Sequence, residues 1–131
     1  MKSIIVDASV LLCILLRETE WKRTANAIAD FTLIGSSSLP LEIGNSLSAL
    51  VRRGLLDPEK AMAVWEAFLE IPVRILDIPM KNALRIAFAK KIYAYDAYVL
   101  ALGEAENMDI ATLDRTMSKT AEELGIPVLE V

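Results

Sequence analysis

At 131 residues, 54% of them hydrophobic, the chain is long enough for one domain with a full core. It has no histidine and a single cysteine, which excludes a Ser-His-Asp triad, an HExxH zinc site, a histidine general base, an intrachain disulfide and a cysteine-based zinc site. The formal net charge of −4 opposes non-specific attraction to nucleic acid, so only local basic pairs such as Lys22-Arg23, Arg52-Arg53 and Lys90-Lys91 offer positive charge to a phosphate chain.

Ser3–Val6 is a short β-branched run closed by Asp7 and predicts a buried strand. Val10 to Leu16 reads as a helix. The apolar run from Ala8 to Leu16 is too short to span a bilayer. Asp7 interrupts it and no small-residue cleavage site follows, which fits a signal peptide poorly. A cytoplasmic location with no membrane contact is the expectation. Cys13, set among leucines, is expected as a buried small hydrophobe. Trp21 to Phe31 places Trp21, Ala25, Ile28 and Ala29 at helical spacing, and Thr32–Ser36 is a second predicted strand. Pro40 suits the first position of a helix that Leu41 to Arg53 continues and Gly54 stops. Asp57-Pro58 is an N-cap and first-position pair for a helix reaching about Glu70.

Val73–Leu76 is the third predicted strand. Pro79 opens a helix to about Ile92, and another runs from about Ala94 to Asn107. Asp109–Thr112 is a fourth strand, Arg115 to Leu124 a last helix ended by Gly125, and Val128–Val131 a fifth strand. Short strands alternating with helices predict the α/β class: a parallel sheet of about five strands covered on both faces, in a single domain over 1–131. The mean hydropathy of +0.41 is high for a monomer, so some apolar surface is expected to meet a partner chain.

Four acids lie beside these elements: Asp7 in IIVDASV, Glu42 in LPLEIGNSL, Asp96 in YAYDAYVLAL and Asp114 in IATLDRT. Open parallel sheets form their sites outside the carboxyl ends of the strands. Asp7 directly follows the first strand and Asp114 lies two residues past the fourth. Glu42 falls in the first turn of the helix after the second strand, and Asp96 opens the helix before the fourth. Carboxylates that converge without a basic partner repel one another, and a divalent cation is the usual remedy. Oxygen-only donors select Mg²⁺ or Mn²⁺ over zinc. Such an ion polarises a phosphoryl oxygen and lowers the pKa of bound water, while one carboxylate remains to accept a proton. Without metal, the crowding should raise at least one carboxylate pKa. The pattern points to a metal-dependent hydrolase, a nuclease.

Each acid also has an ordinary structural use. Asp7, Asp96 and Asp114 could cap helices, and Glu42 could complement a helix dipole. An aspartate interrupting so apolar a segment as Asp7 is nevertheless costly to bury unless it is used. Asp57 reads as a cap. Lys90-Lys91 and Arg115 could hold phosphates, although a solvated face is the plainer reading of a basic pair.

The segments IIVDASV, LPLEIGNSLSALVRRG, YAYDAYVLAL and ATLD, in this order and spacing, resemble the PIN domain family, and in particular the VapC-type toxins of prokaryotic toxin–antitoxin pairs. The resemblance runs over essentially the whole chain. It implies a three-layer α/β/α sandwich and a ribonuclease that leaves a 5′-phosphate. It also implies Mg²⁺ or Mn²⁺ held by Asp7, Glu42, Asp96 and Asp114, and a homodimer restrained by a cognate antitoxin. Ser9 matches a family position whose hydroxyl often supports the site, and Thr112 matches the family's threonine two residues before the last aspartate. Gly103-Glu104 departs from the family's Ala-rich continuation and is expected to soften the helix after Asp96. Trp65 and Phe68, three apart on one helix face, suit the core or a groove that an antitoxin helix could fill. A catalytically silent PIN-like module that binds RNA or protein is the alternative; its mark would be a missing acid, and none is missing. A phosphoaspartate phosphatase would need a second aspartate where Ser9 stands, and a receiver would need an acidic pair where Ala8 and Ser9 follow Asp7.

Overall fold

The computed structural model describes residues 1–131. In chain order it comprises β1 (Ser3–Val6), α1 (Ala8–Leu15), α2 (Trp21–Ile28), β2 (Thr32–Ser36), α3 (Leu39–Arg52) and α4 (Pro58–Glu70). The second half comprises β3 (Val73–Leu76), α5 (Met80–Lys90), α6 (Ala94–Glu106), β4 (Ile110–Ala111), α7 (Arg115–Glu123) and β5 (Val128–Leu129). Successive side chains of a strand point to opposite faces of its sheet. Ile5 accordingly joins one core with residues of α5, α6 and α7, while Ile4 and Val6 join a second core with residues of α1, α3 and α4. A strand buried on both faces must be apolar throughout, which is why β1 reads as an unbroken β-branched run. Burying a side chain such as Ile4 or Ile5 contributes about 1.5–3 kcal/mol. The result is the expected α/β/α sandwich around a parallel sheet.

The strand order is β3-β2-β1-β4-β5, with every pairing parallel. The chain steps outward from β1 to β3, then crosses over to β4 on the other side of β1. The strand order therefore reverses between β1 and β4, and such a reversal leaves a crevice at the carboxyl ends. Asp7 and Asp114 follow the two strands that flank it.

α6 is apolar nearly all round, with Ala97, Val99, Leu100, Ala101, Leu102 and Gly103 buried, as a helix packed on several sides must be. Gly103 has a packing reason. A Cβ there would stand 2.9 Å from Ile110 Cδ1, so an alanine would force the Ile110 side chain to shift. The helix runs unbroken through this glycine to Glu106, so the softening expected there is absent from the backbone.

Several boundaries differ from the sequence expectation. α1 begins at Ala8, because Asp7 itself caps it. α2 stops at Ile28 rather than Phe31, since Phe31 N–H turns back to the Ile28 carbonyl before the chain straightens into β2. α3 starts at Leu39 with Pro40 inside its first turn. β4 and β5 are two residues each, because their pairing is confined to Ile110↔Val128 and Ala111↔Leu129. Cys13 is buried, and Asp57 caps α4 through Lys60 N–H, both as expected. No helix is long and apolar enough to cross a membrane.

Candidate active site

Asp7 leaves β1 at the central crevice, its backbone N–H still donating to the Ala111 carbonyl on β4. Its side chain is the most constrained in the site. Oδ1 accepts from Ser9 Oγ at 2.6 Å and Val10 N–H at 3.3 Å, and Oδ2 accepts from Thr112 Oγ1 at 2.5 Å. The same carboxylate therefore caps α1 and ties β1 to β4. Burial pushes its pKa up. The bonds from Ser9, Thr112 and Val10 oppose that shift, and the charge of Asp114 adds to it.

Asp114 caps α7 by accepting from Met117 N–H at 3.0 Å. Its own N–H donates to Thr112 Oγ1 at 3.0 Å, and Leu113 N–H donates to Ser9 Oγ at 3.0 Å. Each hydroxyl thus donates to Asp7 and accepts from the β4–α7 connection. Ser9 and Thr112 link the two aspartates across the crevice, and each aspartate also caps a helix.

Glu42 stands in the first turn of α3, where Ser38 Oγ donates to its Oε2 at 2.8 Å. Behind it, Ser36 Oγ lies 2.7 Å from Ser38 Oγ and accepts from Ser38 N–H at 3.2 Å, and both serines are buried. Burial raises Glu42 to about 7; the Ser38 bond opposes the rise, and the charges of Asp7 and Asp96 reinforce it. Asp96, in the first turn of α6, is raised to about 6 by burial and by the charges of Asp114 and Asp7, with no hydrogen bond opposing the shift.

The four acids therefore form one electrostatically connected set, and all four sequence-predicted acids are in it. The molecule's two salt bridges, Arg23–Glu20 and Lys90–Glu123, involve none of them. Lys90 is thereby engaged away from the acids. No three carboxylates stand close enough together to grip one ion unaided. Mg²⁺ commonly keeps several waters and takes only one or two carboxylates, so an oxygen-only, mutually repelling donor set of this kind fits it. Sequence reading missed Ser36 and Ser38; the available signal was a serine run at a strand end with Ser38 four residues before an acid in a helix's first turn.

An apolar groove of about 640 Å³ lies elsewhere, between α3 and α4, lined by Leu47, Val51, Ala61, Met62 and Trp65 among others. Phe68 is buried in the core, while Trp65 is half-buried at the groove, their ring centroids 5.4 Å apart.

A family model for the PIN domain matches residues 4–123. The chain is 27% identical over 129 residues to Ribonuclease VapC3 of Pyrobaculum aerophilum, covering 95% of this chain and 98% of that one. Its fold is similar to the crystal structure of PAE2754 from Pyrobaculum aerophilum, with a TM-score of 0.71, 23% identity, and 91% and 79% of the two chains covered. It is also similar to the structure of VapBC2 from Rickettsia felis bound to a DNA fragment from their promoter, with a TM-score of 0.65, 16% identity, and 97% and 96% covered.

Proposed function

The chain belongs to the PIN domain family, and from that membership we propose that it is a divalent-metal-dependent endoribonuclease, the toxin of a type II toxin–antitoxin pair. One observation carries the reading. Four carboxylates gather at the strand-order reversal, where burial first and neighbouring carboxylate charge second raise Asp7, Glu42 and Asp96, and no basic side chain is paired to any of the four. A relative named as a ribonuclease supports RNA as the substrate.

Asp7, Glu42, Asp96 and Asp114 would hold Mg²⁺ or Mn²⁺. When bound, the ion supplies charge neutralisation, polarisation of the phosphoryl oxygen and activation of water. The chain's own residues do the rest. Ser9 and Thr112 fix both oxygens of Asp7, so its remaining lone pairs point in set directions. The α7 cap fixes Asp114. Glu42, raised to about 7 chiefly by burial, would give up its proton to become a ligand of the ion. Cleavage would leave a 5′-phosphate.

The similarity to VapBC2 supports a cognate antitoxin as partner, and the α3–α4 groove fits an apolar helix. A homodimer in the cytoplasm, with 1–131 acting as one PIN-like unit, completes the proposal. The test is incubation of a mixed structured-RNA pool with purified protein in Mg²⁺, Mn²⁺ or EDTA, beside Asp7→Asn and Asp96→Asn. Metal-dependent cutting lost in both variants is expected. Cutting that survives EDTA or both substitutions overturns the assignment.

A further inference from the structure

We propose that Tyr93 and Tyr95 offer stacking faces for an unpaired nucleobase beside the phosphate presented to the acids, and so position the RNA for cleavage; this rests on the ribonuclease reading. Tyr93 occupies the N-cap position of α6, and Tyr95 stands in its first turn, immediately before Asp96. Two large rings thus sit within three residues of a site acid. They are also unusually exposed, Tyr93 at 84% and Tyr95 at 50%, so packing does not account for them. Tyr95 is braced edge-to-face against Tyr98, with centroids 5.6 Å apart and planes at 84°. That contact orients the ring before a ligand arrives, so little rotamer freedom is lost on binding.

Electrostatics gives the platform its purpose. RNA must approach a chain of net charge −4 at its most acidic point, so phosphate attraction is weak there. Stacking is indifferent to charge and tolerates any base, because every base has a π-face. A base can lie on a tyrosine only when it has left its own stack, as bases do in loops and single strands but not inside an RNA duplex. Lys91, exposed two residues before Tyr93, and Arg115, exposed directly after Asp114, are the nearby cations for flanking phosphates.

The experiment measures binding of a single-stranded oligoribonucleotide carrying 2-aminopurine, and of its duplex, to full-length protein bearing Asp7→Asn. The same protein is compared with added Tyr93→Leu, Tyr95→Leu, Tyr93→Phe, Tyr95→Phe or Arg115→Gln, and wild-type cleavage of the RNA pool is assayed in parallel. The proposal expects quenching of the single strand's fluorescence and weak duplex binding. Each leucine variant should bind about tenfold more weakly, with an unchanged slope of affinity against salt, and each phenylalanine variant should retain affinity. Arg115→Gln should instead reduce that slope by about one. Leucine variants that bind as tightly, or duplex bound as well as single strand, overturn the platform while leaving the ribonuclease reading intact if the pool is still cut. Phenylalanine variants as weak as leucine ones overturn stacking in favour of the hydroxyls. No binding by any form together with no cleavage by wild type overturns both readings.

Discussion

The Asp7–Asp114 half of the site and the Glu42–Asp96 half use the same chemical group but hold it differently. Asp7 has three hydrogen bonds on its two oxygens, and Asp114 is fixed as a helix cap. Glu42 has one bond from Ser38, and Asp96 has none opposing its raised pKa. The first half is preorganised by the junction of β1 and β4, the strands that define the crevice. The second half arrives on α3 and α6, where burial first and neighbouring carboxylates second raise Glu42 and Asp96 with fewer hydrogen bonds to oppose the shift. On the proposed reading, the fixed acids would set where a cation sits and the less restrained acids would close around it.

The largest effect that tests this contrast is on activity. Asp7→Asn should lower the rate of RNA cleavage by about 10²–10⁴-fold, read as initial rates in Mg²⁺, with the fold kept by thermal unfolding. Next come the supporting hydroxyls. Thr112→Val removes a bond to the fixed acid and should cost about 10–100-fold. Ser38→Ala acts on an acid that already adapts and should cost about tenfold or less, the lower end of the same range. Equal losses in the two variants would erase the distinction between the halves.

A third expectation concerns stability. The folded pKa of Glu42 is about 7 against 4.5, and that of Asp96 about 6 against 3.8. Both are raised, so the folded state binds more protons than the unfolded chain across this window, and stability falls as pH rises through it. The ion-free protein should therefore show a Tm that declines between pH 4 and pH 7.5, which differential scanning calorimetry in EDTA would measure. Glu42→Gln should flatten the decline, and saturating Mn²⁺ should offset it at the upper end.

Much of the site could be read from residue order alone, because Asp7 and Asp114 each stand just past a β-branched or apolar strand, and a parallel sheet turns such positions into a shared edge. Ser9 and Thr112 were named only through the resemblance to the PIN family, and the structure places both hydroxyls on Asp7. Ser36 and Ser38 were not, since their link to Glu42 depends on how the β2–α3 connection folds back on itself, and serine runs ordinarily mark loops. The α3–α4 groove was foreshadowed by Trp65 only because two aromatics three apart must share a helix face. The early end of α2 follows from the turn that Phe31 N–H makes back to the Ile28 carbonyl, which propensity does not record. Gly103 is the clearest gap: sequence reads a weakened helix, whereas packing against Ile110 makes glycine the residue that fits.

The smallest expected effect comes from that position. Gly103→Ala gains about 1 kcal/mol of helix propensity and loses about 1–3 kcal/mol to overpacking against Ile110. Chemical denaturation should show a destabilisation of at most about 2 kcal/mol with cleavage unchanged, since the residue lies away from both halves of the site.

The most direct measurement of the central claim, that the acids form one unit completed by a cation, is isothermal titration of Mn²⁺ into the purified protein at pH 7.5, with Asp7→Asn and Asp96→Asn alongside. The account predicts saturable binding by the wild type, abolished or strongly weakened in both variants, with an observed heat that varies with the buffer's ionisation enthalpy because the partly protonated Glu42 gives up its proton on binding. Mn²⁺ binding of equal affinity in all three proteins would contradict it.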